Sequence, residues 1–428
     1  MRPRLVRRRA ATALGSYTST ALGILGSVVA MRLLAPFDFG RLTLVLATVG
    51  LFQLLLDLTS EEALVKYGFR FSERGDWARF GRLLRVALAA KSGSAILAGL
   101  LIAATAPLAD ALFDAELTKP LLIAAALPLL YSFESTAASL LVLRGRYDVR
   151  AWFLSVTMAV RLVAIAIAAP HGVTATVVGL VVGQVVATSA IATVGLVAFR
   201  RFPQAASVPL GDERPEILRF VLHSSLGTGL VSLRGWIAPI LLGVASDVRQ
   251  VGFFRAAQAP QQGFAALTAP VRMVMLTEHT RDWERGRRGE VLENVRRYSL
   301  AAAALMLVAV PVFWWLMPDL VRLVLTERYL PAVDAARVML LAAAVQLVYG
   351  WTKSLPVSIG RPNLRLVAHG IETAVLIPLI VPLGREWGAT GAAVAVVAST
   401  LVFAAVWTVL LLRLRRDSGA AQPKAQPA

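Results

Sequence analysis

Long apolar runs recur along this chain and constrain its fold more than any other feature. They extend from residue 12 to residue 412 with only short polar interruptions. Each run has about twenty residues, which is enough for a helix to cross a hydrocarbon core of about 30 Å. The bilayer core supplies no water to backbone groups, and the runs do not alternate as barrel strands do. The sequence therefore predicts membrane-spanning helices, and the hydrophobic fraction of 57% agrees with this.

We predict an all-α integral membrane protein with twelve transmembrane helices. Lys and Arg between the predicted spans alternate loop by loop, with 29 on the side of the amino terminus and 6 on the other side. Because basic loops are retained in the cytoplasm, both termini are predicted to be cytoplasmic in a bacterial inner membrane. The predicted spans are 12–34, 42–65, 83–106, 120–143, 151–169, 173–199, 217–242, 250–276, 298–318, 333–352, 365–383 and 388–412.

The charge and the rare residue types exclude several classes of protein. The net charge of +18 follows from this topology and from contact with anionic membrane lipids, so nucleic acid is not a predicted partner. The basic segment before the first span is interpreted as the flank of a retained helix, because the following run is too long for a signal peptide. The absence of cysteine excludes disulfides and thiolate sites. The sequence contains no metal-ligand cluster, phosphate-binding glycine loop or nucleophile-base pair, so neither an enzyme nor a cofactor is predicted.

An internal repeat divides the chain into two halves. "GRYDVR" at 145–150 returns as "GRPNLR" at 360–365, and "HGVTATVVGL" from 171 resembles "WGATGAAVAV" from 387. Two weaker matches, at 14 and 226 and at 38 and 250, keep nearly the same offset. Six spans per copy predict two six-helix lobes related by a pseudo-two-fold along the membrane normal. The predicted lobes are 1–205 and 206–416, followed by a disordered cytoplasmic tail at 417–428.

Several stretches resemble a known family of membrane proteins. "MRLLAPFDFGRLTLVLATVGLFQLLLDLTSEEALVKYG" from Met31 and "QVGFFRAAQAPQQGFAALTAPVRMVMLTEHTR" from Gln250 resemble two regions of the Wzx-type polysaccharide and oligosaccharide flippases. The segment from 324 to 365 and "GATGAAVAVV" from Gly388 resemble two more. These flippases belong to the multidrug/oligosaccharidyl-lipid/polysaccharide exporter superfamily.

The resemblance implies a secondary transporter that carries a lipid-linked oligosaccharide from the cytoplasmic to the outer leaflet by alternating access. The carrier is then a polyprenyl diphosphate, and a glycan polymerase or glycosyltransferases are expected as partners of a functional monomer. Two relatives are alternatives, namely a peptidoglycan-precursor flippase, which typically has fourteen spans, and a drug/cation antiporter. A membrane glycan polymerase or ligase is a further alternative, but it would be expected to have a large outer loop, which the sequence lacks.

Ionisable residues at membrane depth provide the candidate sites. Such residues cost between about 2.5 and more than 10 kcal/mol, so they normally face a protein interior or a wet cavity. Arg161 shares its predicted helix face with Thr157, Ala164 and Ala168, whose small side chains indicate contact with other helices. The alternative is that such charges form buried ion pairs. The predicted substrate-binding cations are Arg161, Lys91, Arg234 and Arg255, and the predicted ion-coupling acids are Asp57, Glu134 and Glu372.

Two weaker features concern proton transfer and bending. His223 and His369 are candidate proton relays, with helix packing as the alternative. Pro260 and Pro270, with Gly263 between them, are expected to bend the eighth span, because proline removes a backbone hydrogen bond.

Overall fold

The computed structural model describes residues 3–56, 60–206, 208–211, 213–361 and 363–420. Within these ranges the regular elements are all helices, which confirms the predicted all-α class. Nine of the described helices are long and apolar enough to cross a membrane, so the protein is a multi-pass membrane protein. The count of twelve spans stays a prediction.

The chain forms two compact units, residues 1–240 and 241–428. The predicted lobe boundary at 205 stays a prediction, and the end of the predicted tail, from 421, lies outside the described residues. The helices of the first unit are α1 (Pro3–Leu33), α2 (Pro36–Leu56), α3 (Ser60–Glu73), α4 (Trp77–Phe113), α5 (Thr118–Ala124), α6 (Leu127–Leu143), α7 (Tyr147–Ala168), α8 (Val173–Arg200) and α9 (Glu213–Ala245), whose last residues run into the second unit.

The second unit continues the all-helical pattern with shorter pieces at its beginning. Short 3-10 turns lie at Glu327–Ala332 and Gly350–Lys353. The helices are α10 (Val248–Ala257), α11 (Ala259–Leu267), α12 (Ala269–Glu284), α13 (Arg288–Val324), α14 (Val333–Val348), α15 (Leu355–Ser358) and α16 (Asn363–Ala420).

Proline and glycine explain where the helices differ from the predicted spans. The predicted eighth span is divided into α10, α11 and α12, and a proline occupies the first or second position of both α11 and α12. The interruptions fall at the predicted prolines, because a proline has no N–H to donate to the preceding turn, and the bend itself stays a prediction. The predicted eleventh and twelfth spans fall on the single element α16, which contains a non-helical Gly388 at φ 56° and ψ −130°.

Matching turns support the internal repeat. Gly145 and Gly360, the first residues of the two "GR" segments, have φ of 67° and 69°. In both turns the amide of the following arginine donates to the carbonyl five residues earlier at 2.8 Å. This is the bond that ends a helix in a Schellman motif, and it requires the left-handed conformation that glycine adopts without strain.

A second pair of matching turns was not predicted. Gly75 and Gly286, both in "ERG", have φ of 72° and 75° and end α3 and α12 with the same type of bond. Their separation of 211 residues is close to the offset of the other pairs. The repeat is therefore most visible at helix ends, because a positive φ restricts the residue type there more strongly than contact with lipid does.

Ion pairs connect α3 to the start of α9 within the first unit. The Arg70 guanidinium donates to both carboxylate oxygens of Glu216 at 3.1 Å, and the Tyr67 hydroxyl donates to one of them at 3.1 Å. Arg74 lies 3.4 Å from Glu213. Behind this contact, a buried apolar cluster includes Tyr67, Phe71, Phe80, Phe202 and Ile217. These contacts anchor the first turn of α9 on α3.

Candidate functional site

Arg161 lies on α7, on the face that turns toward the rest of the first unit. On either side of it, Met158 and Ile165 pack beside glycines of α1, and Ala164 packs against α8. Val163 and Ile167, on the opposite side of α7, are 55% and 67% exposed. The predicted face of Arg161 therefore agrees with the structure, since the lipid-exposed side of α7 is aliphatic.

The Arg161 side chain is half-buried. Among the described residues it makes no ion pair and no hydrogen bond. A permanent cation at this depth is costly unless an anion or water accompanies it. Its planar guanidinium can donate two parallel hydrogen bonds to a phosphate.

Lys91 on α4 has a protein partner. Its ammonium Nζ lies 2.7 Å from Glu61 Oε1 of α3, and the lysine side chain is only 4% exposed. A small cavity beside it is lined by Gln53, Ser94 and Ser132. The structure thus places Lys91 in the ion pair that was its alternative interpretation.

Glu134 on α6 is the centre of a polar cluster inside the first unit. Its carboxylate accepts hydrogen bonds from Thr157 at 3.3 Å and from the Gln184 amide at 2.5 Å. The same amide nitrogen lies 3.1 Å from Thr188 Oγ1. Gln184 is 1% exposed, and its Oε1 accepts no hydrogen bond within the described part of the chain. The carboxylate can bind a proton. Carboxylate and amide oxygens beside hydroxyls are also the ligand types that bind a hard cation.

The other predicted cations are placed differently. Arg255 on α10 is half-buried, and its Nη1 donates to the amide oxygen of Gln258 at 2.7 Å. In the described ranges it has no carboxylate partner, so its charge is not neutralised there. Arg234 is half-buried on α9 and has interactions of its own. Asp57, a predicted ion-coupling acid, lies outside the described residues.

Glu372 on α16 is paired with a histidine. It is 2% exposed, and one carboxylate oxygen lies 2.9 Å from His369 Nδ1. The His369 ring stacks on Phe403 with centroids 4.9 Å apart. A buried acid this close to an imidazole can share one proton with it, and the pair as a whole is then neutral.

Sequence reasoning missed two residues of these clusters. Glu61 lies at the end of the predicted second span. Its pairing with Lys91 was not recognised, because 30 residues separate the two in the sequence. Gln184 is an amide in the apolar run "VVGQVV", and the criterion for polar residues at membrane depth would have identified it. Among the described residues no group of His, Cys, Asp or Glu could hold a metal ion.

These features define a multi-pass, all-helical membrane protein with charged and polar side chains inside its units. A family model described as "Polysaccharide biosynthesis protein" matches residues 5–275, and the chain belongs to this family. A comparison with curated proteins found no match. The family match confirms the predicted resemblance.

Several solved structures with this fold are transporters or flippases. An inward-facing multidrug resistance MATE family transporter of the MOP superfamily has a TM-score of 0.72 and 14% identity, covering 93% of this chain and 96% of that chain. The lipid II flippase MurJ, in an inward closed conformation, has a TM-score of 0.74 and 12% identity, covering 96% and 90%. A MOP superfamily transporter from Pyrococcus furiosus, described as having a binding pocket of reverse polarity, has a TM-score of 0.60 and 16% identity, covering 97% and 95%. At these identities the likeness establishes the fold and leaves the substrate open.

Proposed function

We propose that this protein is a secondary transporter that flips a polyprenyl-diphosphate-linked oligosaccharide from the cytoplasmic to the outer leaflet. It acts by alternating access in a bacterial cytoplasmic membrane, with both termini in the cytoplasm. The observation that carries the proposal is Arg161, a half-buried arginine on an inward face that has no partner among the described residues. Membership of the polysaccharide biosynthesis family supports the choice of a glycan as cargo.

An arginine that has no counter-charge among the described residues suits a diphosphate. The diphosphate is the one part of a lipid-linked glycan that carries charge whatever its sugars are, so binding there tolerates different glycans. Each arginine-phosphate pair is a charge-assisted hydrogen bond that is stronger than a neutral one. Arg255, whose partner among the described residues is the Gln258 amide, stays a predicted substrate contact. Lys91 and Arg234 stay in the proposal as predicted contacts.

We propose that an ion gradient drives the cycle through buried acids. Glu134, with the unsatisfied amide oxygen of Gln184 beside it, is one proposed site for a proton or cation. The Glu372–His369 pair is the second, and it would carry a proton. Asp57 remains a predicted coupling residue. Binding of an ion at such a site changes the charge buried inside a unit. The ion shifts the equilibrium between two conformations when it binds one of them more tightly than the other.

The alternatives differ in the charge of the cargo. A drug/cation antiporter with this fold would be expected to present acidic groups to a cationic drug, whereas Arg161 presents a cation. A peptidoglycan-precursor flippase would also need cations for a diphosphate, so Arg161 is compatible with it. The family match favours a polysaccharide intermediate.

The test removes the gene from its own host and restores it with variants. We expect deletion to deplete surface glycan and accumulate the lipid-linked intermediate on the cytoplasmic side. Arg161→Ala should reduce export about tenfold or more, because a charge-assisted contact is lost. Export by Arg161→Lys should lie between that of Arg161→Ala and that of the parent protein, since lysine keeps the charge without the planar guanidinium. Val163→Ala, on the lipid-exposed side of the same helix, is the matched control. Normal export by Arg161→Ala at normal abundance would contradict the proposal.

A further inference from the structure

The first unit contains a charged cavity that the transport proposal does not use. It has a volume of about 570 Å³ and lies where α3, α6 and α8 end and α4 and α7 begin, on the side that the loop charges predict to be cytoplasmic. Three arginines line it, Arg144, Arg146 and Arg201, together with Glu73. Below them, the wall is formed by aromatic and aliphatic side chains.

Two of these arginines lack a carboxylate partner in the part of the chain that is described. Arg144 donates to the backbone carbonyl of Arg201 at 3.3 Å, and its guanidinium lies 4.9 Å from the centre of the Phe202 ring. Arg201 makes no described ion pair. Arg146 is partly neutralised by Asp148 at 3.2 Å. The rim therefore retains positive charge, and Arg144 is held in place by an aromatic ring and a carbonyl.

The apolar wall continues along the outside of α8. Val197 lines the cavity and is 46% exposed, and an exposed stripe continues from it to Leu196 at 49%, Val186 at 56% and Val182 at 57%. From residue 197 to residue 182 the helix rises about 22 Å, which is comparable to the length of an acyl chain. A charged rim above a long apolar stripe matches an amphiphile and not a free anion.

We propose that this cavity is a binding site for one anionic diacyl phospholipid. Its phosphate contacts Arg144 and Arg201, and its acyl chains lie along the exposed stripe of α8. Basic pockets between helices on the cytoplasmic side bind anionic head groups for the same reason. The phosphate supplies the counter-charge that the rim lacks, and the stripe supplies the apolar contact that a free phosphate cannot use.

The experiment measures lipid binding directly and does not depend on transport. The full chain is purified in a neutral detergent, and bound lipid is counted by native mass spectrometry after addition of phosphatidylglycerol or of phosphatidylcholine with the same chains. We expect phosphatidylglycerol to remain bound and phosphatidylcholine to be lost. Arg144→Gln and Arg201→Gln should each weaken binding about fivefold, the amount that one surface arginine contributes near an anionic lipid.

Two matched controls separate this site from general attraction to charge and to detergent. Arg200→Gln removes an adjacent exposed arginine that does not line the cavity, so retention should be unchanged. Val197→Trp should fill the apolar wall and lower binding with all arginines present, whereas Val163→Trp, at a similarly exposed position on α7 outside the stripe and the cavity, should not.

Three results would overturn the proposal. The first is equal retention of the two phospholipids, and the second is unchanged binding by the Arg144→Gln/Arg201→Gln double variant. The third is competition by inorganic phosphate, or by a polyprenyl phosphate, that exceeds competition by phosphatidylglycerol. Inorganic phosphate would indicate an anion site without a lipid, and polyprenyl phosphate would indicate a carrier-lipid site.

Discussion

Lys91 Nζ donates to Glu61 Oε1 at 2.7 Å, and the lysine side chain is 4% exposed while the glutamate is 36% exposed. The pair joins α3 to α4. Its geometry means that removing only the cation leaves a carboxylate in a site that is mostly shielded from water. Removing both charges leaves no unpaired carboxylate. A structural role and a substrate role of Lys91 therefore predict different stability and export for the double variant.

We expect Lys91→Met to destabilise the purified protein by about 1–3 kcal/mol, because Glu61 is left without its partner and is only partly hydrated. Lys91→Met combined with Glu61→Gln should recover most of that loss. Thermal unfolding in detergent measures both effects. If the double variant regains stability but still exports no glycan, Lys91 also contacts the substrate. If it regains both, the ion pair is structural alone.

The Glu134 cluster predicts a loss of ion coupling. Glu134→Gln removes the carboxylate charge while keeping the shape of the side chain and a hydrogen-bonding group for Thr157 and Gln184. In liposomes, flipping by this variant should no longer accelerate when a proton or sodium gradient is imposed. Thr193→Ala is the control, because its hydroxyl donates to the Ser189 carbonyl of its own helix at 2.8 Å. A full response to the gradient in Glu134→Gln would exclude this coupling role.

The Arg70–Glu216 pair predicts a pH-dependent contribution to stability. The guanidinium of Arg70, donating to the carboxylate, holds the pKa of Glu216 below its ordinary value of 4.5. The unfolded state therefore takes up the proton first as the pH falls. The contribution is fully present above the ordinary pKa and is lost as the pH falls through the lowered one.

Arg70→Gln should accordingly lower the melting temperature near neutral pH. The difference from the parent protein should shrink as the pH falls below the ordinary pKa of 4.5, because Glu216 then becomes neutral in both proteins. Melting curves over this range measure the effect, with Arg200→Gln as a charge-matched control. A difference that stays constant with pH would show that Arg70 acts through packing and not through this carboxylate.

Local properties of the sequence were enough to predict the helices. Hydropathy and length identify a membrane helix because lipid acts on each segment separately. The ends of the helices were predicted less well. Helix α4 runs from Trp77 to Phe113, beyond the predicted 83–106, because the helix continues through polar turns at the interface. The predicted face of Arg161 agrees with the structure because helical periodicity places Thr157 and Ala164 beside it.

Pairings between distant segments could not be predicted in the same way. Lys91 and Glu61 are 30 residues apart, and Glu134 and Gln184 are 50 apart. Which acid meets which cation depends on how α3, α4, α6 and α8 pack, and a single sequence does not specify that packing. The positive-φ glycines were more informative, because a left-handed helix end restricts the residue type locally.

The contact between α6 and α8 provides a test of packing inside the first unit. At Gly195 of α8 an added Cβ would lie 2.7 Å from the Cβ of Ala137 and 3.0 Å from its Cα. Neither atom can move without shifting α6. Replacing Gly by Ala in a helix normally adds about 0.5–1 kcal/mol of stability, but overpacking costs about 1–3 kcal/mol. We therefore expect a net loss of stability in Gly195→Ala.

Gly93 of α4 is the matched control for this substitution. It is also inside a helix, and an added Cβ there would have no neighbour within 4 Å. Gly93→Ala should leave the melting temperature unchanged or raise it, while Gly195→Ala should lower it. The two melting temperatures, measured in the same detergent, compare equal chemical changes on two helices. Equal shifts in both variants would mean that α6 and α8 adjust freely at Ala137, contrary to the close packing of the two helices.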